Sequence, residues 1–275
     1  MNKKILTIQD ISCYGQCSIT VALPILSAWG YETAILPSAI LSTHTSGFKG
    51  FTVHDLSDEI PNIINHWKKE NIKYDVLYSG YLGEVKHIDL VIQIKEELLN
   101  KNGIFVLDPV MGDNGKLYPV FNNDYVQAIK RLVKEADIIM PNITEASLLT
   151  DLPYQEQYDE KYINNLLNGL KAIGAKDIVL TGVSYEKGTT GVVIFDENGY
   201  RYYKHQKINQ SFHGTGDVFA STLLGSYLGN SDLMKASKVA ADFIVKCINN
   251  TIDDNDHKYG VKFEPLLADY VAKNR

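Results

Sequence analysis

Residues 84–109, EVKHIDLVIQIKEELLNKNGIFVLDP, carry two different periodicities in succession. Over 84–101 the apolar residues recur at spacings of three and four, which predicts a helix with one apolar face. At 103–109, GIFVLDP is a short β-rich run that is apolar on both faces, as a strand buried in a parallel sheet is. A helix feeding such a strand, with Asp108 at the strand's end, is one link in a chain of alternating helices and strands.

The same alternation extends in both directions. KILTIQD (4–10), YETAILP (31–37), DVLYSG (75–80), DIIMPN (137–142) and DIVLTG (177–182) are further predicted strands. Residues 122–135 and 157–173 have helical spacing. GVVIFDENGYRYYKH (191–205) breaks the rhythm as two strand-like runs joined at 196–199, a β-hairpin signature. Helices are expected again at 215–229, 232–250 and 264–272. The pattern predicts an α/β fold: a mainly parallel central sheet flanked by helices.

Composition bounds the function. The 275 residues are 45% hydrophobic and 22% charged, enough for an ample core. No linker, low-complexity tract or 20–50-residue repeat divides them, so one domain over 1–275 is expected. A formal charge of −6 argues against a nucleic-acid partner, which clustered Lys and Arg would hold. No signal-like start and no run of 18 uncharged apolar residues is present, giving the expectation of a cytoplasmic protein with no membrane partner. Cys13, Cys17 and Cys247 are too few and too irregularly spaced for a disulfide scaffold or zinc site, and are expected to be reduced structural thiols.

In open α/β sheets ligands lie beyond the carboxyl ends of the strands. Four predicted strands end there in QDISCYG, SGYLGE, LDPVMGD and MPNITEASLL. Each residue has an ordinary alternative as a turn or helix cap, but turn chemistry does not explain carboxylates and amides recurring at one edge. Asp108, Asp113 and Glu145 are candidate oxygen ligands for Mg²⁺, directly or through water. A magnesium nucleotide is one occupant such an edge suits. Neither G-x-x-x-x-G-K-[ST] nor a G-x-G-x-x-G after the first strand is present.

In SFHGTGDVFA (211–220), Gly214, Thr215 and Gly216 open a predicted helix, forming an anion cradle from backbone amides and the helix dipole. Asp217 beside it has two readings. It is either a general base for an attacking hydroxyl or a residue capping the helix.

Together ILTIQDISCYG, LSTHTSG, SGYLG, DPVMGD, PNITEASLLT and HGTGDVFAS, in this order, make the chain similar to pyridoxal kinases of the ribokinase-like superfamily along essentially its whole length. GTGD alone points only to the broad superfamily. The resemblance implies a three-layer sandwich and ATP-dependent phosphorylation of the 5′-hydroxymethyl group of pyridoxal, pyridoxamine or pyridoxine. It also implies Mg²⁺ as cofactor and a homodimer. A monovalent cation is a further candidate cofactor.

Carried over by position, the resemblance makes Asp217 the catalytic base and Gly214, Thr215 and Gly216 the seat of the γ-phosphate. Ser12, Thr45, Ser46 and Tyr81, with Asp217, fall at substrate-binding positions. Asp108 and Glu145 match positions holding the metal and triphosphate, with Asn142 beside them, and Thr181 matches a nucleotide contact. Residues 233–250 are expected to wall the adenine pocket, and the loops near 42–50 and 112–121 are candidate lids.

STHTSG departs from the SNHT form common in the family, and Cys13 and Cys17 are not part of its signature, which puts substrate preference in question. Cys13 is expected to be a buried small hydrophobe, and His213 a polar contact rather than a catalytic group. Two rival readings are a hydroxymethylpyrimidine kinase, which shares the fold and the HGTG loop, and a catalytically silent vitamin-binding protein. Asp217 with SGYLG and DPVMGD favours the vitamin B6 reading over the first. Intact Asp217 and Glu145 argue against the second.

Overall fold

The computed structural model describes residues 3–45, 47–254, 257 and 259–275. The strands are β1 (Lys4–Ser12), β2 (Glu32–Leu41), β3 (Val53–Asp55), β4 (Tyr74–Ser79), β5 (Leu99–Leu107), β6 (Gly112–Asp113), β7 (Lys116–Leu117), β8 (Ile138–Ile139), β9 (Asp177–Val183), β10 (Thr189–Asp196) and β11 (Gly199–Gln206). The helices are α1 (Ile19–Ala28), α2 (Ile60–Lys69), α3 (Val85–Leu98), α4 (Asn123–Glu135), α5 (Ile143–Thr150), α6 (Glu160–Ala172), α7 (Thr215–Asn230), α8 (Leu233–Thr251) and α9 (Glu264–Asn274).

Among the described residues nine strands form one sheet in the order β11-β10-β9-β8-β5-β4-β1-β2-β3. The six strands from β9 to β2 run parallel, and the edge strands β3, β10 and β11 pair antiparallel. β6 and β7 make a separate small hairpin between β5 and α4.

Alternation along the strands builds three layers. Leu6, Ile8, Leu77, Phe105, Leu107, Ile139, Ile178 and Leu180 join one core, with Ile60 and Ile64 of α2, Val91 of α3, Leu132 of α4 and Leu166 of α6. Their neighbours Ile5, Val76, Tyr78, Val106, Ile138 and Val179 point to the other face, against Leu26 of α1, Leu223 of α7 and Ala240 of α8. Each Leu or Ile fully buried this way contributes about 1.5–3 kcal/mol. Because both faces are covered, the central strands bury apolar residues on both sides, and the polar loops collect at the sheet's ends.

The hairpin closes where expected: Asp196 pairs with Gly199, which has φ of 80°, and the Asp196 carboxylate accepts from the Asn198 amide. Other elements differ from the sequence reading. Leu99–Lys101, assigned to a helix, are strand, because Leu99 turns extended and pairs with Tyr74 across the sheet. Helices α1, α2 and α5 and strand β3 carry no assignment from periodicity. They are short, and α1 contains Pro24, normally a helix breaker. The signal for α5 was present as the N-x-x-E of Asn142–Glu145, a capping box that the structure forms in full. No helix among the described residues is long and apolar enough to cross a membrane.

Candidate active site

Carboxyl-terminal strand ends and the start of α7 enclose a cavity of about 570 Å³, a size suited to small-molecule ligands. β1 contributes Asp10 and Ser12, the β4 end Tyr81, the β5 end Asp108, the segment after β8 Asn142 and Glu145, and β9 Thr181. Gly214, Thr215, Gly216 and Asp217 enter from α7, and Thr45 from the loop before β3. Apart from Asp10, all eleven of these are expected site residues, and Asp113, also expected, lines the same cavity. Ser46 lies outside the described residues.

The start of α7 has no side-chain cap. Its N-cap is Gly214 at φ 74°, ψ 2°, and a β-carbon there would lie 1.7 Å from the Gln16 carbonyl oxygen. Only glycine fits, both for its left-handed backbone and for its contact with the Gly15–Ser18 loop. The first-turn amides of this 16-residue helix have no intrahelical acceptors, so positive dipole and free N–H groups face the cavity. Asp217 sits in that turn but does not cap it. Its carboxylate instead accepts a hydrogen bond from the Ser18 backbone N–H. Of the two readings the loop left open, capping is the one the structure removes.

Burial pushes the Asp217 carboxyl up to about 7, against the lowering effect of the Ser18 amide and with a smaller push from Asp10. A carboxylate at that value is matched to taking a proton near neutral pH. Asp108 is raised well above the ordinary carboxylate range, first by burial and then by Glu145 and Asp217. Burial also raises Glu145 to about 7, although it accepts from backbone amides of Asn142, Met111 and Gly112. No lysine or arginine lines the cavity among the described residues. A set of buried carboxylates with no cationic partner attracts a cation and repels a bare anion.

Glu145 also has a structural duty. Its oxygens take the Met111 amide at 3.0 Å and the Asn142 amide at 2.9 Å, while Asn142 Oδ1 accepts from the Glu145 amide at 2.9 Å. Asn142 Nδ2 donates to the Gly112 carbonyl at 2.9 Å. Both residues thus hold the Asp108–Asp113 loop onto the start of α5, and one of the two Asn142 Nδ2 hydrogens serves that duty. Asp113 is exposed at the rim, with its carboxylate accepting from the Asn114 backbone and side chain. Thr181 is anchored by its N–H to the Pro141 carbonyl at 2.9 Å, which brings β9 beside Asn142.

Ser12, also in the wall, is buried, and its hydroxyl donates to Asp10 Oδ2 at 2.9 Å. Tyr81 leans on Phe121 with centroids 5.6 Å apart, and burial lifts its phenol to about 12. His213 lines the wall 5.3 Å from the His44 ring, and burial lowers its pKa. It holds a neutral, polar place in the wall. Both expected lid loops border the cavity: His44, Thr45 and Phe51 from one, and Asp113, Tyr118, Pro119 and Val120 from the other.

One expectation is corrected. Cys13 is exposed, neither buried nor in the wall; Cys17 lines the cavity, its thiol kept neutral by burial and then by Asp217 and Asp10. β1 runs on to Ser12, so Cys13 lies beyond the sheet where nothing covers it. Residues 233–250 lie outside the wall of this cavity, with the apolar side of α8 packed against the sheet and α9. Asp10, Cys17 and Ser18 were missed as site residues. The visible signal was an aspartate in a strand buried on both faces, which only a ligand or a set of donors makes tolerable.

Comparison with known proteins agrees with this geometry. A sequence model of the phosphomethylpyrimidine kinase family matches residues 26–262. A protein of Bacteroides thetaiotaomicron, named as a phosphomethylpyrimidine kinase and crystallised with pyridoxal, is 34% identical with a TM-score of 0.92. The match covers 98% of this chain and 96% of that one. The pyridoxal kinase of Lactobacillus plantarum is 34% identical with a TM-score of 0.90, over 99% and 98% of the two chains. The pyridoxal kinase of Dictyostelium discoideum is 28% identical over 270 residues, covering 91% of this chain and 87% of that protein. With an uncapped helix start lining the cavity, a carboxyl raised to about 7 beside it, and a family match across most of its length, this chain is an enzyme of the phosphomethylpyrimidine kinase family.

Proposed function

We propose that this enzyme is a pyridoxal kinase: it transfers the γ-phosphoryl group of ATP to the 5′-hydroxymethyl group of pyridoxal, pyridoxamine or pyridoxine. The observation that carries the reading is the position of Asp217. Its carboxylate sits in the first turn of α7, whose free amides suit a phosphate, and shares one cavity with Ser12, Thr45 and Tyr81, which suit the alcohol. In the transfer Asp217 takes the hydroxyl proton as the oxygen bonds to phosphorus and the bond to the β-phosphate bridging oxygen breaks, releasing ADP. Gly214, Thr215 and Gly216 hold the transferring group through backbone N–H donors that need no reorganisation.

Electrostatics requires a cation. At an effective dielectric of about 20, two unit charges 4 Å apart interact by about 4 kcal/mol, and Asp108, Glu145 and Asp217 all oppose a triphosphate. Among the described residues no three His, Cys, Asp or Glu side chains converge on a metal position by themselves. Mg²⁺ fits such a site, since it is commonly held by one or two carboxylates together with water and phosphate oxygens. Asp108 and Glu145 would hold it, the second within the limits of its amide contacts. The ion would neutralise charge developing on the phosphates. Asn142 and Thr181 complete the nucleotide side.

The reading draws support from the Lactobacillus plantarum kinase and from the Bacteroides protein crystallised with pyridoxal. Hydroxymethylpyrimidine remains the competing acceptor, since the family takes its description from the pyrimidine. The deciding experiment is ATP-dependent phosphorylation of a panel of the three B6 vitamers and hydroxymethylpyrimidine. Turnover of at least one vitamer is expected. Turnover of the pyrimidine alone overturns the assignment, and binding without turnover of any acceptor points to a silent binding protein. A homodimer, which the sequence resemblance implies, is proposed for the assembly, with sedimentation as its check.

A further inference from the structure

Ser18 is a serine in a backbone conformation that favours glycine. It lies at φ 54°, ψ −128° at the N-cap of α1, buried, and lines the active-site cavity. Positive φ is costly for any residue with a β-carbon. A serine at an N-cap ordinarily bonds the free amides of its own helix, yet this one makes no side-chain cap. Its donors go elsewhere. The hydroxyl bonds the Asp10 carboxylate, which also accepts from Ser12, and the backbone N–H bonds the Asp217 carboxylate.

The surroundings keep it there. Gln16 packs its carbonyl against Gly214, leaving no room for a β-carbon at that glycine, and its own N–H donates to the Tyr259 carbonyl at 2.9 Å. Thr20 Oγ1 donates to the Cys17 carbonyl at 2.7 Å. The Gly15–Ser18 loop is therefore a fixed shelf beneath the start of α7. On that shelf Ser18 is a residue whose two donors serve two like charges.

We propose that Ser18 is a positioning residue for phosphoryl transfer: its amide orients the Asp217 carboxylate toward the acceptor alcohol while its hydroxyl holds Asp10 in place at the acceptor end. Each carboxylate accepts one hydrogen bond from the shelf. Asp217 then keeps an oxygen free for the alcohol, and Asp10 does not swing toward it. The proposal rests on the kinase reading of this cavity and adds a role for two residues that reading leaves idle.

The test is a double-mutant cycle of Ser18→Gly, Asp10→Asn and both together, with steady-state kinetics for ATP and for the acceptor, and thermal melts. Ser18→Gly keeps the amide and relaxes the backbone, so the fold survives and Tm holds or rises. Its kcat/KM for the acceptor is expected to fall about 10- to 100-fold, the weight of a hydrogen bond to a charged group, while KM for ATP stays within twofold. In the Asp10→Asn background the same change is expected to cost less than threefold, because the hydroxyl acts through Asp10. Unchanged acceptor kinetics in Ser18→Gly, or fully additive losses in the cycle, would overturn the proposal. A failure of the kinase reading itself shows earlier and separately, in wild-type enzyme that phosphorylates no vitamer. If the wild type phosphorylates hydroxymethylpyrimidine instead, the cycle is run with that alcohol and the same outcomes decide.

Discussion

Replacing Asp217 with asparagine keeps the shape of the side chain and its acceptor for the Ser18 amide, and removes only the charge. Loss of a general base costs roughly 10² to 10⁴ in rate, which is about 3–5 kcal/mol of barrier. The fall should be in kcat, with KM for ATP unchanged or lower. The structure also predicts a gain. A carboxyl raised from 3.8 to about 7 by burial has its ionised form destabilised by up to about 4 kcal/mol, at about 1.4 per pH unit. Water in the open cavity screens part of this, leaving about 1–3 kcal/mol. Because the folded value lies above the unfolded one, this group's relative stabilisation is complete below pH 3.8 and is lost as pH rises through about 7. At neutral pH Asp217→Asn should therefore melt about 2–5 °C higher than wild type. That difference should shrink toward pH 5. In the wild type, kcat/KM for the acceptor should rise through about pH 7 as the base deprotonates, and this limb should vanish in the variant. Coupled-assay kinetics from pH 5.5 to 8.5 and calorimetric melts over the same range measure both effects. A variant turning over within twofold of wild type refutes the base assignment. One that is slow but melts lower refutes the account of a destabilised buried charge.

Three further outcomes follow from the same geometry. Glu145→Gln should raise the Mg²⁺ concentration for half-maximal activity by about tenfold, one charge-assisted contact; an unchanged titration removes Glu145 from the metal's surroundings and leaves it the loop anchor its three amide contacts already make it. Gly214→Ala should destabilise the protein by about 2–4 kcal/mol in urea unfolding, since its β-carbon would meet the Gln16 carbonyl oxygen at 1.7 Å; a cost below 1 kcal/mol would mean that the Gly15–Ser18 shelf yields easily. Saturating ATP and acceptor should slow proteolytic cleavage in residues 42–50 and 112–121, the loops bordering the cavity mouth; equal cleavage with and without ligand shows that they do not close.

Much of the fold was legible because hydrophobic periodicity is local. The switch from spacing three and four to an unbroken apolar run at residues 84–109 marks a helix and a buried strand, and the structure places them as α3 and β5. Elements with little periodicity of their own, such as α1 with Pro24 inside it, depend on what they pack against. The site divides in the same way. Asp108, Glu145, Thr181 and Asp217 stood out as polar residues at strand ends or after glycines, and the cavity contains them all. Asp10 and Ser18 did not, since nothing nearby in sequence tells a serine before a helix that the carboxylate it bonds is 199 residues away, or an aspartate in a strand that α7 closes a cavity over it.

Sequence alone determined the alternation, the strand ends where chemistry collects, and the side-chain types present there. Tertiary structure decided what those side chains do. In isolation Asp217 is equally a helix cap and a base. It ceases to be a cap when Gly214, pressed on the Gln16 carbonyl, takes the N-cap position, and when the Ser18 amide claims the carboxylate. Burial then raises its proton affinity to a catalytically useful level. Those three causes come from groups distant in the chain, and none can be read from residues 211–220 themselves.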